Sequence, residues 1–234
     1  MLLTLAVAAL GVPASAQTSA NVAYQDGNVR ITMIADGAAR LEYAPDGKFV
    51  DNKSQVAVIR DYAPVSYKVS DKSKTVRIST DAMTITYVKG KGPFTSANLS
   101  IVSAKKKGAL PFSWKPGQKD DGNLKGTYRT LDGYDGDLRN GKPMPIEDGV
   151  LSKSGWTLIN DSKSYLFDRS EWPWVEERPD TTKAQDWYFL AYGHDYKKAL
   201  RMFTKFSGKV PLPPRYAFGY WWSRYWTYSD NELR

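Results

Sequence analysis

Asn28-Val-Arg-Ile-Thr-Met-Ile-Ala-Asp-Gly-Ala-Ala-Arg-Leu-Glu-Tyr43 decides the fold class. Val29, Ile31 and Met33 fall on one side of an extended chain and Arg30 and Thr32 on the other, the period-two signature of a half-buried strand. Asp36-Gly37 breaks the alternation, which Ala39, Leu41 and Tyr43 resume until Pro45-Asp46-Gly47 turns the chain again. Similar runs follow at Val65–Val69, Thr75–Ser79, Met83–Val88 and Leu99–Ser103, with turn residues such as Asp71-Lys72-Ser73 between them. Many short strands at close spacing predict a mainly β domain, an antiparallel β-sandwich rather than βαβ units.

Between Gly108 and Gly155 the text turns to Gly, Asp, Asn, Lys and Pro, a long connection of the kind that carries function or disorder. Strand-like text resumes at Trp156-Thr-Leu-Ile and Ser164-Tyr-Leu-Phe, and Trp172-Pro-Trp174 and Asp186–Tyr192 add aromatic mass. Asp195 is placed to cap a helix whose apolar face is read as Tyr196, Ala199, Leu200 and Phe203, with Gly208 as its stop. Pro211, Pro213 and Pro214 then stiffen a linker. Beyond it Tyr216–Trp222 is apolar without alternation, as in a strand covered on both faces, so an α/β unit is expected to begin here. Ser229 and Glu232 have capping-box spacing for one helical turn, too short to persist alone. The chain is therefore expected to be the front part of a longer protein.

Leu2–Val12 is apolar and is followed by Pro13 and Ala14-Ser15-Ala16, which fits a signal-peptidase site with Gln17 as the mature start. Residues 1–16 are thus expected to be a signal peptide, although no basic residue precedes the apolar run, and the product to be exported, periplasmic or secreted. The run is too short to serve as a membrane anchor. No cysteine occurs, which excludes disulfides and thiolate chemistry. His194 is the only histidine, which excludes metal sites built on several His; beside Gly193 and Asp195 it reads as a turn residue. No metal or cofactor is expected. The formal net charge is +8, spread over dispersed Lys. Its one run, Lys105-Lys106-Lys107, reads as a solvated hairpin tip, and no aromatic-basic face suggests nucleic acid.

Asp132, Asp135, Asp137, Glu147 and Asp148 crowd the long connection. Glycoside hydrolysis needs two carboxylates at a fixed separation, whereas Asp before Gly favours tight turns, so turn chemistry is the preferred reading. Tyr220, Trp221, Trp222, Tyr225, Trp226 and Tyr228 form a dense aromatic cluster. Flat rings stack on the C–H faces of sugars, while Arg and Asp bind hydroxyls. Trp222, Arg224, Tyr225 and Trp226 end the expected strand, where α/β barrels place their sites; ligand contact and packing are both open for them.

Phe218-Gly-Tyr-Trp-Trp-Ser-Arg-Tyr-Trp-Thr-Tyr-Ser-Asp230, preceded by Pro211-Leu-Pro-Pro-Arg215, resembles the entry into the catalytic barrel of glycoside hydrolase family 31. Asn123–Gly133 resembles the N-domain loop that leans over the barrel mouth in that family. Gly149–Trp156 and Tyr192–Leu200 resemble its bacterial members. The resemblance implies a galactose-mutarotase-like sandwich over residues 17–208 and, over 209–234, a linker and the first strand of a truncated TIM barrel. It implies a retaining α-glycosidase acting on α-glucosides or α-xylosides, with an α-linked oligosaccharide as its partner molecule. The family's two catalytic Asp lie on later barrel strands, so no catalytic residue carries over and the chain alone is expected to be inactive. Substrate contacts are implied for Asp132 and for Tyr225 or Trp226. The alternatives are a free-standing carbohydrate-binding module and a mutarotase-like isomerase, the latter disfavoured by the single His.

Overall fold

The computed structural model describes residues 21–105, 110–126, 138–139, 142–143, 146–179, 182–221 and 226–233. The strands are β1 (Val22–Asp26), β2 (Val29–Ala35), β3 (Ala38–Tyr43), β4 (Lys68–Asp71), β5 (Thr75–Ser79), β6 (Met83–Val88) and β7 (Leu99–Ser103). They continue with β8 (Ser113–Trp114), β9 (Leu138–Arg139), β10 (Lys142–Pro143), β11 (Trp156–Asn160), β12 (Leu166–Phe167), β13 (Val175–Glu176) and β14 (Gln185–Ala191). Two five-stranded sheets form, ordered β1-β2-β3-β14-β11 and β4-β5-β6-β7-β8, with β9–β10 and β12–β13 as separate two-stranded pairs. Every pairing is antiparallel. The mainly β, antiparallel sandwich expected from the alternation is therefore the architecture observed.

One core lies between the sheets. Val29, Ile31, Met33, Leu41 and Phe189 face Val76, Ile78, Ile85, Leu99 and Ile101. Aromatic rings fill one side of this layer: Trp114 sits 4.9 Å from Phe189, and Trp156 stacks on Phe189 at 6.1 Å. This mass of buried rings gives a cysteine-free chain a core that needs no cross-link.

The second sheet keeps its other face wet, as Arg77 and Val102 show. The first does not. All seven residues of β2 are buried, including Arg30 and Thr32, so the half-buried reading of this strand is corrected. Two covers account for the change. At one end α1 (Tyr196–Ser207) lies over Ile34, Ala38, Tyr188 and Leu190. At the other, the segments around residues 51–61 and 161–178 cover the sheet, Asp51 pairing with Arg30 and Arg178 with Asp186.

Asp195 caps α1 by accepting from the Lys198 backbone N–H at 2.8 Å, and Gly208 ends it with φ +83°. The buried face is Ala199, Met202 and Phe206; Leu200, placed inward by the sequence reading, is 48% exposed. Tyr196 and Phe203 of the expected face are half-buried against the same core, and the stripe is centred toward Met202 and Phe206, the latter stacking on Tyr188 at 4.3 Å. The strand read at Val65–Val69 begins three residues later, at Lys68.

Over 216–221, the described part of the strand expected at Tyr216–Trp222, no strand is present. Arg215–Phe218 forms a single 3-10 turn, with Gly219 N–H donating to Tyr216 O at 3.0 Å, and Tyr216, Phe218, Tyr220 and Trp221 are exposed. A strand needs a ladder partner for its backbone groups. No described residue pairs with this segment, so it turns to local bonds instead. A last turn, α2 (Asp230–Leu233), follows. Glu232 accepts from the Ser229 backbone N–H at 2.8 Å, which completes one half of the capping box. No helix among the described residues is long and apolar enough to cross a membrane.

Candidate functional site: the neck of the long loop

Asp132 and the tail residues Trp222, Arg224 and Tyr225 lie outside the described residues, as do Asp135 and Asp137. Trp226 is described and is 59% exposed. Of the substrate-contact set expected from the sequence, only Trp226 thus falls among the described residues. The structure does describe both ends of the connection that carries Asp132.

Those ends form a narrow neck. Leu124 N–H donates to Leu151 O at 2.9 Å, Gly126 N–H donates to Glu147 O at 2.9 Å, and Asn123 bridges to Ser152. Asn123 is the clasp: its Oδ1 accepts from Lys125 N–H at 2.8 Å and Gly149 N–H at 2.9 Å, while its Nδ2 donates to Gly149 O at 3.0 Å. Lys125, at φ +67°, turns the chain outward and pairs with Asp148 at 2.5 Å. A Cβ on Gly149 would stand 2.3 Å from Lys125 O, so only glycine lets the two legs approach. Below the clasp, Asp120 Oδ1 accepts from Ser152 Oγ and Ser154 Oγ, both at 2.7 Å. Further out, β9 pairs with β10. A connection that composition alone leaves open between function and disorder thus leaves the sandwich from a hydrogen-bonded stem.

Beside the neck a groove of about 860 Å³ runs along β11, the edge strand of the first sheet. Asp120, Asn123, Lys125 and Asp148 line one wall, and Trp156, Leu158 and Phe203 another. Apolar rings facing a few fixed polar groups are the usual make-up of a ligand cleft. Among the described residues that line it, no nucleophile–base pair is found. His194 lies away from it and shapes the turn into α1, where its carbonyl accepts from Tyr196 N–H at 3.1 Å. No group of three or more His, Asp and Glu among the described residues could hold a metal ion.

The most perturbed carboxylates sit elsewhere, on the covered face of the first sheet. Arg40 gives Asp186 two hydrogen bonds, at 2.8 and 2.7 Å, and Arg30 does the same for Glu42 at 2.7 and 2.8 Å. Burial alone would raise Asp186, but the Arg40 guanidinium overrides it and holds this carboxyl at about 2. Glu42 is raised by burial, which its arginines only partly offset. Asp161 is raised by burial and by the nearby charge of Asp186, against Ser54 and Arg178. Perturbed carboxylates can mark chemistry, yet Asp186 and Glu42 are each gripped by guanidinium groups and Asp161 Oδ2 is held by Ser54 and Arg178, all three sealed from solvent as in a structural network. Sequence reading missed it. Its available signal was the placement of Arg30, Arg40 and Glu42 at alternate positions within otherwise apolar strands.

No family model and no curated protein matches the chain. Among solved structures it is similar to a GH31 dextranase of Flavobacterium johnsoniae. For a mutant complexed with isomaltotriose the identity is 18%, the TM-score 0.50, and the match covers 83% of this chain and 27% of that one. The same dextranase complexed with glucose gives a TM-score of 0.49 at 18% identity, with the same two coverages of 83% and 27%. A cycloalternan-forming enzyme from Listeria monocytogenes, in complex with a pentasaccharide substrate, gives 0.45 at 16% identity, covering 82% of this chain and 21% of that one. The chain spans about a quarter of the dextranase's length. In fold, then, this chain is similar to part of a glycoside hydrolase family 31 enzyme.

Proposed function

We propose that the chain is the N-terminal portion of an exported, retaining α-glycosidase of family 31 that hydrolyses α-glucosides or α-xylosides. The carrying observation is the sandwich itself, similar over 83% of this chain to a family 31 dextranase. It acts together with Pro211–Asp230, which resembles that family's barrel entry. Residues 17–208 are read as the sandwich domain and 209–234 as the linker and first barrel strand. In this reading the neck at Asn123 and Gly149 aims the loop bearing Asp132 toward the reacting sugar. Trp222, Arg224, Tyr225 and Trp226 line the substrate site once neighbouring barrel strands give 216–222 a ladder to join. The catalytic Asp pair belongs to strands beyond residue 234, and residues 1–16 direct export.

The test is the genomic reading frame and its product. A frame that continues into barrel strands ending in Asp, with a product that cleaves p-nitrophenyl α-glucoside or α-xyloside with retention, is expected. The 234-residue chain alone should show no turnover. Turnover by this chain would overturn the assignment of chemistry to the missing strands.

A second reading is a free-standing carbohydrate-binding sandwich. It draws on the exposure of every described residue from Lys209 onward except Tyr228, which leaves the sandwich closed without the tail. Sugar affinity that survives removal of residues 209–234 would favour it.

A further inference from the structure

Away from the neck, the β12–β13 hairpin ends in Asp168-Arg-Ser-Glu-Trp-Pro-Trp174. Its tip is built rather than loose. Asp168 N–H donates to Trp174 O at 2.9 Å, and Asp168 Oδ1 accepts from Trp174 N–H at 3.0 Å and Ser170 Oγ at 2.6 Å. This ordered tip holds two indoles in water: Trp172 is 82% exposed and Trp174 75%. Pro173, between them, lines a hollow of about 660 Å³ shared with residues 51–61. The hollow's walls are tied together, since Phe167 N–H donates to Lys53 O at 2.8 Å and Arg169 donates to Asn52 Oδ1 at 3.2 Å.

The lining chemistry narrows the ligand. Lys53, Arg60 and Arg169 are balanced by Asp51, Asp61 and Asp168, so the charges cancel and an anionic ligand gains nothing overall. The side chains of Lys53 and Asp61 make no hydrogen bond or ion pair among the described residues, leaving a donor and an acceptor for hydroxyls. Arg60 is only 9% exposed and its Nη2 has no hydrogen-bond partner. Exposed rings next to paired donors and acceptors suit a molecule with apolar faces and many hydroxyls.

We propose that this hollow binds a neutral glycan chain, whose sugar rings stack on Trp172 and Trp174 and whose hydroxyls reach Lys53, Asp61 and Arg169. The site is non-catalytic and distinct from the neck. It stands independently of the family reading, because it depends on this hairpin alone.

The test uses the full chain labelled with 5-fluorotryptophan, whose eight indoles report separately by 19F NMR. Trp172→Phe and Trp174→Phe assign the two resonances. Isomaltotriose, maltotriose and a xyloglucan heptasaccharide are titrated in turn. The expected result is a saturable shift of both resonances with at least one sugar. Asp61→Ala should weaken that binding about tenfold, the loss of one good polar contact at roughly 1.4 kcal/mol. Trp172→Ala with Trp174→Ala should abolish it at unchanged melting temperature. Silence of both resonances toward all three sugars assigns the patch to a protein contact and overturns the proposal, as do shifts confined to the other indoles.

Discussion

Asp186 shows how much a single buried charge can matter. Arg40, fully buried, has its two closest hydrogen bonds to carboxylate on Asp186, so Asp186→Asn removes its main counter-ion and leaves as its nearest carboxylate Glu42 at 3.1 Å, which Arg30 already holds. Breaking one side of such a pair costs about 3–5 kcal/mol, and urea denaturation at pH 7 should read a loss of that order. Because the folded Asp186 carboxyl is held at about 2, below its value in the unfolded chain, its stabilisation is complete above about pH 4 and disappears as pH falls toward 2. The gap between wild type and Asp186→Asn should therefore shrink by about 2 kcal/mol between pH 5 and pH 2, whereas a pH-independent gap would contradict the assignment. Glu42 and Asp161, raised by burial, work in the opposite sense and recover stability on protonation. Gly149 poses the other residue-scale question. Gly149→Ala would press a methyl against Lys125 O and should cost about 1–3 kcal/mol at the neck. Amide exchange at Leu124 and Gly126 should speed up while that of β5–β7 stays unchanged.

At the scale of elements, α1 has a clear capping residue but an ambiguous face. Tyr196, Ala199, Leu200 and Phe203 satisfy helical spacing as well as Ala199, Met202 and Phe206 do. The sheet decides between them, since Tyr188 presents a ring to Phe206. Phe206→Ala should cost about 3–5 kcal/mol, and Leu200→Ala less than about 0.5, in chemical denaturation. Equal effects would mean the helix is docked in the other rotation. Strands β5, β6 and β7 were legible to the residue because their sheet has one wet face, so alternation carries through the sequence undisturbed. β2 was legible as a strand but not as a doubly covered one, because its cover comes from segments remote in sequence.

For the whole molecule, the sandwich and the tail behave as separate accounts of the sequence. Exposed Tyr216, Phe218, Tyr220 and Trp221 add no core, so removing residues 209–234 should change stability by less than about 0.5 kcal/mol while raising solubility. A large drop in melting temperature on truncation would show that the tail packs on the sandwich. The candidate sugar contacts were legible only as residue types. Asp132 and Trp222–Tyr225 lie outside the described residues, and Trp226 is more than half exposed. The neck at the base of the connection escaped the sequence because Asn123 and Gly149 meet across twenty-six positions of chain.

The order of residues alone determined the strand periods, the cap at Asp195, the absence of thiol chemistry and the antiparallel class, because these depend on neighbours a few positions apart. Tertiary structure alone decided that β2 is covered on both faces, which face of α1 packs inward, and how Arg30, Arg40, Glu42 and Asp186 neutralise one another. It also decided that Trp172 and Trp174 stand in water on either side of Pro173, which lines a charge-balanced hollow. Such outcomes depend on contacts between segments far apart along the chain, and local spacing carries no record of them.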